Sequence, residues 1–271
     1  MGLQIAVAGK GGCGKTTLAA LIIRYLVEGK SGPVLAVDAD PNSNLGEALG
    51  LRPAAEVADV LKELSQSLEG PPAGMDRGSY VEMRIREALA EGKEVDLLAM
   101  GGPEGEGCYC YPNALLRRLC ESLTAWYPFT VIDNEAGLEH LSRRFTGGAH
   151  LFLVVSDNSL RGVRSAGRVA HLADHLGLKL ERRYLVVTKV RGRLSPEMER
   201  EIAATGLELG AVIPYDPLIL EYDLRGRPFS ELPDRSPAVR QINAFLAQWL
   251  AEVQGRRKQD EVRAAGGEMA R

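Results

Sequence analysis

Residues 9–16 read Gly-Lys-Gly-Gly-Cys-Gly-Lys-Thr, directly after the apolar run LQIAVAG and directly before a helical pattern. Glycines at this spacing let backbone amides converge on phosphate oxygens without Cβ clashes, and the start of a helix adds positive potential. Lys15 neutralises phosphate charge and the Thr16 hydroxyl can ligate Mg²⁺. Strand, glycine loop and helix in that order predict a mononucleotide site built from Gly9, Lys10, Gly11, Gly12, Cys13, Gly14, Lys15, Thr16 and Thr17. Acidic residues end two further apolar runs: Asp38 and Asp40 in VLAVDADPN, and Asp133 in FTVIDNEAG. An aspartate so placed either serves a hydrated metal or caps the next helix. Phosphoryl transfer needs a positioned water and dispersed charge, so a cation clamp plus an aspartate is chemically sufficient. Lys10 is surplus to a site that Lys15 already serves, and it can instead project toward a nucleotide on a facing subunit.

The four cysteines divide by context. Cys13 fills the variable position of the glycine loop. Cys120 lies in NALLRRLCESL on the face of Leu116 and Leu123, the place of a small buried hydrophobe. Cys108 and Cys110 stand in GGPEGEGCYCYPN, a Gly- and Pro-containing loop between a strand and a helix. A disulfide at that spacing closes a strained ring, whereas two thiolates can chelate a metal. One chain supplies two ligands where stable thiolate sites usually have four, so other residues or the same loop of a second chain must complete the set. Such ligands suit tetrahedral Zn²⁺ or square-planar Ni²⁺ alike. His171 and His175 sit i, i+4 in RVAHLADHLGL with no carboxylate or cysteine in the pattern, and read as a surface or packed pair. His140 and His150 carry no distinct signal.

These residues need a scaffold, and the chain provides one in alternating apolar runs and helical patterns. Strands are expected at LQIAVAG, PVLAVD, VDLLAM, FTVID, HLFLVVS, RRYLVVT and GAVIP. Their continuous hydrophobicity suits parallel strands buried on both faces. The expected fold is α/β, a mostly parallel sheet of seven or eight strands with helices on both faces. Helices are expected at about 15–28, 113–125, 159–175, 195–204 and 237–253, with an insert at about 51–94 carrying two more, near 54–68 and 80–91. A single domain over 1–253 is expected, followed by a fraying solvated tail from 254 to 271.

The chain has 271 residues and 33 Lys and Arg against 36 Asp and Glu, a formal charge of -3. That balance lacks the basic excess of a dedicated nucleic-acid binder. No signal-peptide pattern and no run of 18 apolar residues is present, so a cytoplasmic protein without a membrane anchor is expected.

The loop KGGCGKT resembles the deviant Walker A motif of the P-loop ATPases that include septum-placing ATPases, plasmid-partition ATPases and the nitrogenase iron protein. The resemblance implies an ATP-sandwiched homodimer in which Lys10 completes the neighbour's site. It further implies that Asp40 is the switch I aspartate acting on the attacking water or hydrated metal, that Asp133 is the Walker B aspartate, and that Gly137 opens switch II. Lys10, Lys15 and Asp40 would then be catalytic, with Thr16, Asp40 and Asp133 serving Mg²⁺. Thr188, Pro214 and Asp216 would lie around the purine, with Thr188 standing where the family usually has asparagine. GKGGCGKTT, DADPNSNLG, GEGCYCYPNALLR and DNEAGLEHLSRR together resemble one subfamily, the accessory ATPases that mature nickel-containing carbon monoxide dehydrogenase, and its relative serving acetyl-CoA synthase. That likeness implies ATP and ADP as nucleotides, Ni²⁺ (or Zn²⁺ in its place) on Cys108 and Cys110 across a dimer, and one of those enzymes as client. A nitrogenase-type donor needs a cysteine just after the Walker B strand, and DNEAGLEHL has none. A septum-placing ATPase needs an amphipathic C-terminal membrane helix, and EVQGRRKQDEVRAAGGEMAR has no apolar face. A partition ATPase needs a basic surface that this acidic balance does not support.

Overall fold

The computed structural model describes residues 2–66, 70–102, 123–135 and 148–268. Among these residues eight strands form one sheet in the order β3-β4-β2-β5-β1-β6-β7-β8. They are β1 (Leu3–Gly9), β2 (Val34–Ala39), β3 (Ala90–Glu91), β4 (Val95–Ala99), β5 (Phe129–Asn134), β6 (Gly148–Asp157), β7 (Lys179–Val190) and β8 (Glu208–Pro214). All neighbours pair in parallel except β3, which runs antiparallel to β4. This is the expected fold, with the seven expected strands in place. The eighth, β3, is a two-residue edge piece too short to carry any periodicity.

Strand residues alternate between two cores. Leu3, Ile5 and Val7 of β1 join one apolar cluster with α1 (Lys15–Glu28), while Ala6 and Ala8 join the other. Leu151, Leu153 and Val155 of β6 likewise face one side and Phe152 and Val154 the other. The first layer holds α1, α2 (Leu45–Leu49) and the start of α8 (Pro237–Glu268), where Leu246 and Trp249 are buried. The second holds α3 (Val57–Gln66), α4 (Arg77–Glu87), α5 (Leu160–His175) and α6 (Pro196–Ala204). Each fully buried Leu or Ile contributes about 1.5–3 kcal/mol, so both faces of the sheet must stay covered.

Local chemistry sets the helix starts. Asp76, Ser159 and Ser195 accept hydrogen bonds from the first-turn amides of α4, α5 and α6. Among the described residues two helices escaped the sequence pattern: α2, only five residues long, and α7 (Pro217–Leu224), whose apolar residues follow no clear face. The segment expected to fray beyond Val253 is helical here as far as Glu268. Its Ala, Glu, Arg, Gln and Lys residues are strong helix formers, so propensity continues the helix where apolar periodicity stops.

Candidate functional site

Every residue with predicted chemistry in the described part lies at the carboxyl ends of the parallel strands, where open α/β sheets bind ligands. At the end of β1 the chain passes so close to β6 that a Cβ on Gly9 would collide with the Val155 carbonyl. The loop then rises and enters α1 through Gly14, left-handed at φ +95°. No side chain caps α1 and no acidic residue occupies its first turn. Its leading N–H groups therefore remain available to an anion. Lys15 is buried and, with Gly11, Gly12, Gly14, Thr16 and Thr17, lines a cavity of about 530 Å³. Cys13 turns inward instead, 3% exposed, and burial pushes its thiol up, so it supports the loop as a small apolar residue. Lys10 is exposed and does not line the cavity.

Two buried carboxylates meet below the loop. Asp38 on β2 stands opposite Asp133 on β5 in the parallel register, and both are fully buried. Burial pushes the Asp133 carboxyl up to about 7; the Asp38 and Asp40 charges add to the rise, while the Thr16 hydroxyl and Lys15 oppose it. Neither Asp133 oxygen has a hydrogen-bond partner of normal geometry, so the nearby Thr16 hydroxyl favours the charged form without satisfying it. Burial likewise pushes Asp38 up to about 6, against the amides of Leu45 and Asp40 that donate to it. These amides bond Asp38 Oδ2 at 2.8 Å and Oδ1 at 3.1 Å. Asp38 is thus a structural acceptor, and Asp133 is an acceptor still lacking donors.

That difference is the test of fit for Mg²⁺. A buried carboxylate with two open oxygens, beside a threonine hydroxyl and a phosphate cradle, matches the donor set of a hydrated hard cation. Thr16, Asp133 and the partly buried Asp40 would hold it, and the ion would supply charge neutralisation at the terminal phosphate.

The other end of the cavity is built differently. Thr188 lies on β7, where the register with β8 shifts and Lys189 is left-handed at φ +57°. In a regular strand neighbouring side chains point to opposite faces. The kink lets both reach the glycine loop: Thr188 Oγ1 has the Cys13 carbonyl at 2.7 Å and the Ser156 carbonyl at 3.2 Å, and Lys189 Nζ donates to the Gly12 carbonyl at 2.8 Å. Asp216 is 4% exposed, and its Oδ1 caps α7 through the Leu218 amide at 2.9 Å. Its Oδ2 accepts from the Ser236 hydroxyl at 2.5 Å and the Ala238 amide at 3.3 Å, tying in the start of α8. Pro214, Thr188 and Asp216 do line the cavity, but the polar groups of the last two are already engaged by the protein. Arg191 stacks over the Tyr215 ring at 4.1 Å and steadies the outer wall.

The likeness already pointed to the segments VVTKV and IPYDP at this end without singling out Lys189 or Tyr215, and α7 was missed. Their contribution depends on a bulge and a short helix that leave no periodic trace. Cys108, Cys110, Cys120, Gly137 and His140 lie outside the described residues. Among the described residues, no three His, Cys, Asp or Glu side chains converge as a metal site. His175 Nδ1 is 3.1 Å from the His171 carbonyl, so that pair is engaged within its own helix. No helix among the described residues is long and apolar enough to cross a membrane.

Comparison with known proteins agrees with this geometry. Residues 5–229 match the family model of the CobQ/CobB/MinD/ParA nucleotide binding domain. The chain is 42% identical over 240 residues to an uncharacterized ATP-binding protein of Methanocaldococcus jannaschii, covering 88% of this chain and 94% of that one. It is 30% identical over 267 residues to the carbon monoxide dehydrogenase accessory protein CooC of Rhodospirillum rubrum, covering 93% of this chain and 97% of the relative. In fold it is similar to the septum site-determining protein MinD of Pyrococcus horikoshii complexed with Mg-ADP, at TM-score 0.68 and 22% identity, over 94% of this chain and 98% of that one. With a phosphate cradle at the end of β1, an open carboxylate beside it and a family match spanning the sheet, the chain belongs to the CobQ/CobB/MinD/ParA family of P-loop ATPases.

Proposed function

We propose that this ATPase is a cytoplasmic maturation factor that handles nickel as cargo and helps insert it into the metal cluster of carbon monoxide dehydrogenase. The observation that carries the reading is the end-to-end likeness to the carbon monoxide dehydrogenase accessory protein, in a chain whose sequence also contains Cys108-Tyr109-Cys110. Two thiolates are half of a four-ligand site, and a two-fold dimer supplies the other half. The exposure of Lys10 supports such a dimer, since an exposed lysine outside the cavity lining is available to a neighbour's nucleotide site. A nucleotide and a metal each held by both subunits favour the same closed state, so each raises the other's affinity. Hydrolysis then loosens the metal site for transfer.

Equilibrium dialysis with Ni²⁺, run with and without a non-hydrolysable ATP analogue, tests the reading. The expected result is one Ni²⁺ per dimer, bound more tightly with the analogue and lost in Cys108→Ser and Cys110→Ser while ATP binding persists. Stoichiometric nickel in the double serine variant, or an affinity indifferent to nucleotide, would overturn it. Lys10→Ala should bind nucleotide yet hydrolyse slowly; normal turnover removes its role across the interface.

A further inference from the structure

The loop from Asp40 to Asn44, which contributes Asp40, Asn42 and Asn44 to the cavity, is tethered from three directions. Its ends are tied to a single carboxylate, since Asp38 accepts from the amides of both Asp40 and Leu45. Within it, Asp40 Oδ1 accepts from the Asn42 amide at 3.0 Å and the Asn42 side-chain amide at 2.8 Å. The third tether comes from outside the loop. Ser43 Oγ donates to Glu56 Oε1 at 2.6 Å, across thirteen residues of sequence.

Ser43 needs that tether. It adopts φ +49°, a left-handed conformation that costs energy for a residue with a Cβ and persists only when its surroundings over-determine it. A hydroxyl bonded to a carboxylate belongs to the stronger class of hydrogen bonds. Glu56 is itself held in place. It lies just before α3, and its other oxygen packs against Gly101, where φ is +69° and a Cβ would collide with the carboxylate. The backbone on either side is pinned as well: the Ala58 amide donates to the Met100 carbonyl at 3.1 Å, and the Met100 amide to the Asp38 carbonyl at 2.8 Å.

We propose that Glu56 is a positioning residue for ATP hydrolysis: by holding Ser43, it keeps the Asp40 loop in the shape that presents Asp40 to the phosphate end of the cavity. The proposal rests on the reading of Asp40 as the aspartate that acts on the attacking water or its metal. A loop freed at Ser43 keeps both Asp38 tethers, so nucleotide binding survives while the Asp40 carboxylate wanders.

Phosphate release from Mg-ATP should be measured for Glu56→Ala, Ser43→Ala, the double variant and Glu56→Gln, with melting temperature and ATP affinity followed alongside. Each alanine variant is expected to lower kcat on the order of tenfold with KM unchanged, because a small misplacement of a reacting group is expensive in rate. The double variant should be no slower than either single, since both remove one contact. Glu56→Gln keeps an acceptor for Ser43 and should recover most of the rate. Wild-type kcat in Glu56→Ala, additive losses in the double variant, or a loss confined to KM and melting temperature would overturn the proposal. Asp40→Asn separates the two levels: its normal turnover overturns the reading of Asp40 itself, whereas a slow Asp40→Asn beside a normal Glu56→Ala overturns Glu56 alone.

Discussion

The two ends of the nucleotide cavity treat polar atoms in opposite ways. At the phosphate end Asp133 is buried with both oxygens unpartnered, and Lys15 is buried in the cavity wall beside a helix start that no side chain caps. At the opposite end Asp216 has donors on both oxygens and Thr188 directs its hydroxyl at a loop carbonyl. An unsatisfied buried carboxylate lowers stability, and a ligand that supplies the missing partner removes the penalty. A satisfied one holds the scaffold. Residues of the first kind should therefore support activity at the expense of stability, and residues of the second kind the reverse.

The sharpest way to break this contrast is Asp133→Asn. It should lower phosphate release by on the order of 10²-fold or more, as loss of a preorganised charge does. At pH 8, above the folded value of Asp133, the nucleotide-free variant should nevertheless be about 1–3 kcal/mol more stable to urea, because an unpaired buried charge is gone. Rapid turnover or a destabilised fold would erase the distinction between the two ends. Asp216→Ala should do the opposite, costing about 2–4 kcal/mol in urea unfolding through three stranded donors on two helix starts. Turnover per folded molecule should stay within a few-fold.

Acidity sharpens the comparison further. The Asp133 carboxyl rises in the fold from the ordinary 3.8 to about 7, and that of Asp38 to about 6. The folded chain therefore binds more protons than the unfolded chain between those values, and stability falls as pH rises through the window. Thermal melts without Mg²⁺ or nucleotide should show a higher midpoint at pH 5.5 than at pH 8, on the order of a few degrees. Saturating Mg-ADP should flatten that slope, since a bound cation favours the ionised carboxylate; an unchanged slope would deny Asp133 its metal. The smallest effect is expected at Thr188→Val, where losing one hydroxyl contact to the glycine loop should cost about 1 kcal/mol in urea and leave ATP affinity unchanged.

The phosphate end was legible in the sequence because its parts are contiguous. Gly9 to Thr16 carry strand end, loop and helix start in one stretch, and the aspartates sit at the ends of apolar runs that could only be strands. Asp216 was legible as a cavity residue and not as a double cap, because its donors Ser236 and Ala238 lie twenty and twenty-two residues away. Thr188 resisted for the same reason: its acceptor in the glycine loop is 175 residues distant. Glu56 left no signal at all, being one acidic residue before one amphipathic helix until the fold brings Ser43 and Gly101 against it.

What the sequence determined alone was the alternation of strand and helix, the parallel sheet, the phosphate cradle and the acidic strand ends. Each is encoded in neighbouring residues through periodicity, glycine conformation and local charge. The tertiary structure decided which of those acids wait for a ligand and which brace the protein. That assignment depends on where burial and distant donors fall, and the distance along a chain carries no record of either.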